Sequence, residues 1–349
     1  MSLRAPLGDA LLATFERLAV GAVDWPALDA FDDRAFTQRR HWLEFLAARA
    51  GGEPVVARLD EAGRTLGYFS GVLFHRLGVP ILGSAFRGWT TPYIGFNLEP
   101  GVLRAKALRS LERFAFGELG CLHLELTDRR LAAGEGASLG FAERVVETFL
   151  TDLGPSEEQL FANMTSACRR AIRKAEKSGV VIEQAAAEGF AEDYYGHLCD
   201  VFAKQGMRPT YGVERVHMLI EHVHPSGDLL LARARDPEGR SIATGIYPGF
   251  NQVSYFWGNG SLRQHQLLRP NEALHWFALR YWKARGIRHH DWAGANDYKA
   301  KYGVRTYAMV ALRKSRFKFI RYARDTAERI YYFPRRLRRK RYDAKIAAE

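Results

Sequence analysis

Hydrophobic and polar positions alternate twice in this chain around the same kind of turn. "VVARLDEAGRTLGYFSGVLF" reads as strand, turn, strand about Asp60, Gly63 and Arg64. "LLLARARDPEGRSIATGIYPGF" does the same about Asp236, Gly239 and Arg240, 176 residues later. Period-two apolar runs on either side of turn residues predict two β-hairpins. Each hairpin leads, through a further apolar strand region, into an amphipathic helix and a short strand. These are "VLRAKALRSLERFAFGELG" with "CLHLELTD", and "PNEALHWFALRYWKARG" with "IRHHDWAG". Gly120 and Gly286 stand at the matching joint and are expected to end their helices in the left-handed conformation. Glu125 and Asp291 each lie five residues beyond that glycine. One order of elements met twice predicts a duplicated module.

Between the modules lies "TFLTDLGPSEEQL", a strand ending near Leu153, a Gly154-Pro155 break, and a capping box of Ser156 and Gln159. The helix it opens is expected to run on through "FANMTSACRRAIRKAEKSG" with Met164, Cys168, Ile172 and Ala175 as its apolar stripe and Gly179 as its end. Beside that stripe Arg169, Arg170, Arg173, Lys174 and Lys177 put five cations into nine positions. Like charges three and four residues apart repel by roughly a few tenths of a kcal/mol per pair, so helix stability does not explain them. The face is expected to meet an anion. A solvated structural face and a membrane edge are the alternatives.

A chain of 349 residues fits two domains of about 150 each better than one core. The expected boundaries are 1–153, 154–312 and a basic C-terminal helix and tail, 313–349. Hydrophobic content of 47% with 26% charged residues suits a folded, soluble protein. No apolar run is long enough to span a bilayer, and Asp9, Glu16 and Arg17 interrupt the N-terminal stretch, so neither a secretion signal nor an anchor is expected. Cys121, Cys168 and Cys199 lie far apart with no CxxC pair, which argues against zinc, or any metal, and against a disulfide framework. A reducing cytoplasm is the expected compartment. The net charge of +12 favours an anionic partner: RNA, anionic lipid or a phosphorylated small molecule. Much of the excess sits in "RKSRFKFIRYARDTAERIYYFPRRLRRKRYDAK", where cations mix with aromatics. Peripheral contact with the inner face of the cytoplasmic membrane, contact with RNA, and a solvated tail are the readings of that segment.

"TDLGPSEEQL", "CRRAIRKAEKSGVVIE", "YFWGNGSLRQHQLLRPNEALHWFAL" and "HHDWAGANDYKAKYGV" together resemble the FemAB-like, acetyltransferase 6 group of the GNAT superfamily, relatives of the Fem-type peptidyltransferases. The resemblance spans roughly 25–307 and is strongest in the second half. It implies an α/β (α+β) fold of tandem GNAT-like domains, each a mixed, largely antiparallel sheet flanked by helices. Two departures stand out. The Q/R-x-x-G-x-G/A loop that cradles coenzyme A phosphates is replaced by "SLRQHQLLRPNEA", with Gly260 just ahead of it. The acidic strand end carries His289-His290-Asp291, richer in titratable groups than the family pattern.

The family transfers an acyl or aminoacyl group to a primary amine, and the resemblance implies the same here. No Ser-His-Asp or Cys-His constellation is readable, so direct attack without a covalent intermediate is expected. Asp291, at a strand end facing a small-residue turn, is the candidate base or amine-orienting carboxylate; a loop cap is its plain structural alternative. His290 is the other candidate base, since histidine titrates near neutral pH; a satisfied structural histidine is its alternative. Lys299 matches the family lysine, which implies a role in stabilising the transferred carbonyl or a donor phosphate by positive charge. Lys301 and Tyr302 belong to the same motif.

Tyr255 and Trp257 alternate with Val253 on one strand face, as core or as wall of an acyl channel. Asn271 reads as an N-cap after Pro270, and Arg269 ahead of it is placed to meet phosphate. Arg169, Arg173 and Lys174 sit where the family's second domain meets its cleft. In the first module "WTTPYIGF", with Tyr93 and nearby Arg87, resembles the loop that borders the acceptor site in relatives. The leading expectation is an N-acyltransferase using an acyl thioester (acyl-CoA) and an amine of an envelope or exopolysaccharide precursor, soluble or lipid-linked. The alternatives are an aminoacyl-tRNA-dependent transferase acting on a peptidoglycan-type precursor, and a non-catalytic tandem scaffold.

Overall fold

The structure, a computed structural model, describes residues 13–203, 206–327, 329 and 330; of the basic C-terminal helix and tail expected over 313–349, residues 328 and 331–349 lie outside the described residues. Two compact units divide the chain. Unit 1 takes 13–34, Leu46–Val145 and Met309–Arg316; unit 2 takes Ala35–Phe45, Val146–Ala308 and the segment from Phe317 onward. A single cut in the sequence does not express this exchange of segments.

In unit 1, β1 (Thr14–Leu18) is followed by helix α1 (Trp25–Asp29), and α2 (Arg40–Ala50) enters the unit with its second half. Then come β2 (Glu53–Glu61), β3 (Arg64–Arg76), β4 (Val79–Ser84), β5 (Gly95–Leu98), α3 (Arg104–Arg113) and β6 (His123–Asp128). Strand β7 (Ala142–Asp152) belongs to unit 1 as far as Val145. The β1, β2, β3 and β4 run pairs antiparallel, β5 lies beside β3, and β4 and β6 run parallel, Gly83 opposite Glu125.

Unit 2 continues with α4 (Glu157–Asn163), α5 (Ser166–Lys177), β8 (Val181–Gln184), α6 (Phe190–Ala203) and α7 (Val213–Val223). Next are β9 (Leu229–Arg235), β10 (Ser241–Phe250), β11 (Val253–Tyr255), β12 (Gly258–Ser261), α8 (Pro270–Ala284), β13 (His289–Asp291) and α9 (Asp297–Ala300). Strand β14 (Val304–Ser315) returns to unit 1 from Met309, where it pairs antiparallel with β6. The β8, β9, β10 and β11 run is antiparallel, β12 lies beside β10, and β11 and β13 run parallel.

Each unit therefore repeats hairpin, strand, helix, parallel strand, the duplicated order the apolar pattern predicts. The hairpin tips form as expected. Asp60 accepts from Thr65 Oγ1 at 2.8 Å, and Asp236 accepts from the Arg240 amide at 2.9 Å. Gly120 and Gly286 take φ of 63° and 80°, where a side chain would be strained; Gly286 closes α8, and Gly120 closes the π-helical turn Phe114–Glu118 that continues α3. Separate cores hold the units: Phe15, Phe69, Phe96 and Leu124 in the first, and Ile172, Leu230, Leu274, Trp282 and Trp292 in the second.

The basic helix departs from expectation. It is not continuous with the segment capped by Ser156, because Met164 and Thr165 are extended and interrupt it. Thr165 caps α5, its Oγ1 accepting from the Cys168 amide at 3.3 Å, while its own N–H donates to the Lys301 carbonyl at 3.0 Å. A threonine two residues past the first helix offers the backbone a cap that outcompetes helix propagation.

Candidate active site

Strands β11 and β13 pair in parallel register through Tyr255 and Asp291. One more bond follows, from the Phe256 amide to the Asp291 carbonyl at 2.8 Å. Trp257 then turns away and donates to the Ile246 carbonyl at 3.1 Å, and the chain continues as β12 against β10. Trp292 meanwhile bonds the Phe149 carbonyl at 2.9 Å. The strand thus leaves its parallel partner beyond Phe256, beside the end of β13.

That strand end gathers three of the candidate residues. Asp291 is buried, and its Oδ1 accepts from Thr148 Oγ1 at 2.6 Å and from the Ala293 amide at 2.9 Å. Thr148 Oγ1 in turn accepts from the Gly294 amide at 2.8 Å. These bonds fix a tight turn in which Ala293 takes a φ of 59°, a left-handed conformation that costs an L-residue about 1–2 kcal/mol. After the turn Asn296 caps α9 by accepting from the Lys299 amide at 3.1 Å. The cap orients Lys299 so that its Nζ donates to the Ala293 carbonyl at 3.0 Å and lies 5.2 Å from the Phe256 ring centre. Burial lowers the Lys299 ammonium to about 8, an effect the nearby Asp291 charge partly opposes.

His290 does not fit the role of a neutral-pH base. It is fully buried, its Nδ1 lies 2.9 Å from Ser254 Oγ, and its ring stands 4.8 Å from that of Trp292. Burial, helped by Lys299, pushes it down to about 3, so it is a neutral core imidazole. His275, from the middle of α8, joins it there. Its Nδ1 sits 2.9 Å from Tyr247 Oη, and burial holds it well below the ordinary histidine value.

Lys301 pairs with Glu272 at 2.6 Å and lies 4.1 Å from the Tyr298 ring centre. Tyr302 stacks on Trp292 with centroids 4.3 Å apart and is fully buried, so it supports the site from the core and does not face a substrate. Asn271 is not an N-cap. Pro270 takes the first helical position and Arg269, at φ 61°, the cap position. Asn271 instead accepts from Asn259 Nδ2 at 2.9 Å and donates to Ser261 Oγ at 3.0 Å, tying the start of α8 to β12. Arg269 is exposed beside that helix start.

Tyr255 and Trp257 do not share a strand face, since the strand ends at Tyr255. Tyr255 packs on Phe36 at 5.7 Å, whereas Trp257 packs on Tyr211 at 5.5 Å. Arg169 is not directed at an anion; its Nη1 donates to the Ala162 carbonyl at 2.7 Å and to that of Met164, holding the end of α4. Arg173 and Lys174 are exposed, the former 5.2 Å from the Phe161 ring centre. In unit 1, Arg87 is exposed and its amide donates to Glu125 at 3.2 Å, while Tyr93 is buried 5.0 Å beneath the Arg129 guanidinium. Burial of the Tyr93 ring removes it as a substrate-facing wall.

Among the described residues no cluster of histidine, cysteine, aspartate or glutamate could hold a metal, and no helix is long and apolar enough to cross a membrane. What the site offers is a buried cation and a buried carboxylate on one rigid turn, beside a strand that has left its sheet neighbour. Such a constellation polarises a carbonyl and steers an amine.

Residues 162–301 match the acetyltransferase (GNAT) domain family. Among solved structures FemX superposes with a TM-score of 0.67 at 12% identity, over 84% of this chain and 96% of its own. A conserved protein of unknown function from Bacteroides thetaiotaomicron reaches 0.58 at 11% identity, over 87% and 100% of the two chains. The C-terminal domain of a protein described as a lysylphosphatidylglycerol synthetase, from Agrobacterium fabrum, reaches 0.51 at 10% identity, over 77% and 85%. No curated protein gave a significant match. Residues 162–301 thus resemble a GNAT acetyltransferase domain, and the chain as a whole shares its fold with FemX.

Proposed function

We propose that the protein is an N-acyltransferase that joins an activated acyl group to a primary amine by direct attack. The amine nitrogen attacks the carbonyl carbon of an acyl thioester, the carbon–sulfur bond breaks, and the thiol leaves with a proton. Lys299 meets the negative charge that develops on the carbonyl oxygen. Asp291, through the Ala293 turn, fixes Lys299 and the local backbone. The observation that carries this reading is the clasp of Ala293 between Asp291 and Lys299 next to the strand departure at Phe256. An extended pantetheine arm, with its own amides, suits a place beside a strand that has lost a neighbour.

One observation favours an aminoacyl-tRNA donor instead. Glu272 lies in the first turn of α8, paired with Lys301, where a pyrophosphate would seek the helix amides. A carboxylate already there opposes a second anion. On this reading the acceptor is a peptidoglycan-type precursor, and the exposed cations Arg173, Lys174 and Arg269 face the nucleic acid. On the leading reading the acceptor is an amine of an envelope or exopolysaccharide precursor. The expected place of action is the cytoplasm, where both donor classes are made. The exposed Phe319 and Tyr322, among the cations after β14, favour peripheral contact with an anionic membrane.

Thermal shifts with acyl-CoA and with aminoacyl-tRNA, beside intact-mass detection of co-purifying ligands, test the reading. Stabilisation by one donor over its deacylated form supports transfer. Indifference to both donors supports a binding scaffold.

A further inference from the structure

After β14 the chain forms one more helix, α10, over residues 318–327, with 329 and 330 continuing it. A surface helix ordinarily turns its apolar side inward. This one does the reverse. Phe319, Tyr322, Ala323, Thr326 and Ile330 follow one another at helical spacing, so they share a face, and all five are exposed. Phe319 is 64% exposed, and Tyr322 and Ile330 are each 69% exposed. The side chains half-buried elsewhere on the helix are Ile320, Arg324 and Asp325. The outward aromatics and isoleucine lie outside both cores, and the apolar surface they hold in water is stabilised by transfer to an apolar phase.

The exposed charges beside that face are cations. Helical spacing sets Lys318 and Arg329 along its border and Arg321 further round, all three exposed. Asp325 lies 3.5 Å from Arg324 and 4.0 Å from Arg321, so its charge is already met within the helix. The sequence then runs on into "RRLRRKR", residues 335–341, six cations in seven positions. A nucleic acid would engage these cations but leave Ile330 in water. A second copy would bring two cationic borders together. An anionic bilayer takes both the apolar face and the charge. We propose that α10 is an in-plane insertion helix: Phe319, Tyr322 and Ile330 enter the acyl boundary of an anionic leaflet while Lys318, Arg321 and Arg329 meet its phosphates. The proposal rests on the peripheral membrane contact described above and deepens it, since charge alone gives contact without burial. It is independent of the reaction the protein performs.

The full chain is sedimented with vesicles of phosphatidylcholine alone and of phosphatidylcholine with about 30% phosphatidylglycerol, at roughly 0.1 M and 0.5 M salt. Binding is expected to the anionic vesicles, weakened but not abolished at the higher salt, because salt screens charge and leaves apolar burial in place. Phe319→Ser with Ile330→Ser is expected to weaken it about tenfold or more, with an unchanged circular-dichroism spectrum, since both side chains are exposed. Lys318→Gln with Arg321→Gln is expected to weaken binding at low salt more than at high salt. Phe319→Trp is expected to bind at least as tightly and to show emission quenched by lipids brominated on their acyl chains, a component the wild-type protein lacks. Binding unchanged by the serine pair, or no acyl-chain quenching in Phe319→Trp, overturns insertion and leaves charge-driven contact standing. No binding to anionic vesicles overturns both. Equal binding to phosphatidylcholine alone overturns the role given to the cations. A wild-type dimer that the serine pair dissolves would put a second copy on this face and overturn the proposal.

Discussion

Asp291 and Lys299 hold one residue from its two ends: the carboxylate accepts from the Ala293 amide at 2.9 Å, and the ammonium donates to the Ala293 carbonyl at 3.0 Å. Both charges are spent on backbone, so neither is a freely swinging side chain. Their common effect is to fix a left-handed alanine and, with it, the direction of the buried cation.

Asp291→Asn keeps the shape and one acceptor but loses the charge. It is expected to slow transfer about 100-fold, within the range for a positioned catalytic or electrostatic group, with a folded circular-dichroism spectrum. Thr148→Val, which removes the 2.6 Å bond to the carboxylate, is expected to lower stability by about 2 kcal/mol in urea titration and to slow transfer less than Asp291→Asn does.

Lys299 carries a cost of folding that has a definite sign. Its folded value of about 8 lies below the ordinary 10.5, so between those limits the unfolded chain binds more protons and stability rises with pH. Below pH 8 the whole penalty applies. Lys299→Met is therefore expected to raise stability at pH 7 by on the order of 2 kcal/mol while abolishing transfer, the mark of a strained functional group. The wild-type rate is expected to fall above about pH 8 as the ammonium deprotonates, and Lys299→Arg to move that fall upward.

His290 titrates in the opposite part of the range. Its folded value of about 3 lies below the ordinary 6.5, so acid lowers stability progressively from 6.5 toward 3, by about 1.4 kcal/mol per pH unit. His275, also lowered, adds in the same direction. Urea midpoints at pH 7, 5.5 and 4.5 check this, and His290→Leu is expected to flatten the slope. That substitution is expected to leave the pH dependence of the rate unchanged, because a core imidazole passes no proton to substrate.

Glu272→Gln removes the carboxylate from the first turn of α8 and leaves Lys301 beside the helix amides. If the donor is an acyl thioester, the variant is expected to bind coenzyme A several-fold more tightly than the wild type in calorimetry. Unchanged coenzyme A binding would favour the aminoacyl-tRNA donor.

The repeated hairpins were legible because their tips carry the chemistry of the turn: Asp60 and Asp236 bond their own neighbours. Gly120 and Gly286 were legible for a similar reason, since a left-handed helix end selects glycine. Asp291 and Lys299 came from the family motif, eight positions apart on one turn. Their supports were hidden. Thr148 reaches Asp291 across 143 residues of sequence, a pairing no local pattern encodes. His275 sits in the buried face of α8, where a histidine among apolar residues carries no periodic signal. Asn271 misled because its type suits a cap, yet Pro270 already fills the first helical position and Arg269 the left-handed one. Arg169 misled because a helix break at Thr165 placed orphan carbonyls within its reach.

Single-turnover amide formation, followed by the mass of the product from a labelled donor and an amine-bearing envelope precursor, addresses the central claim most directly. The prediction is that wild-type protein forms the amide with no acyl-enzyme detectable, and that Lys299→Met and Asp291→Asn, both still folded, form it far more slowly. Transfer at the wild-type rate by the folded Lys299→Met protein would contradict the account, because the amine would then be meeting its carbonyl somewhere other than beside this clasp.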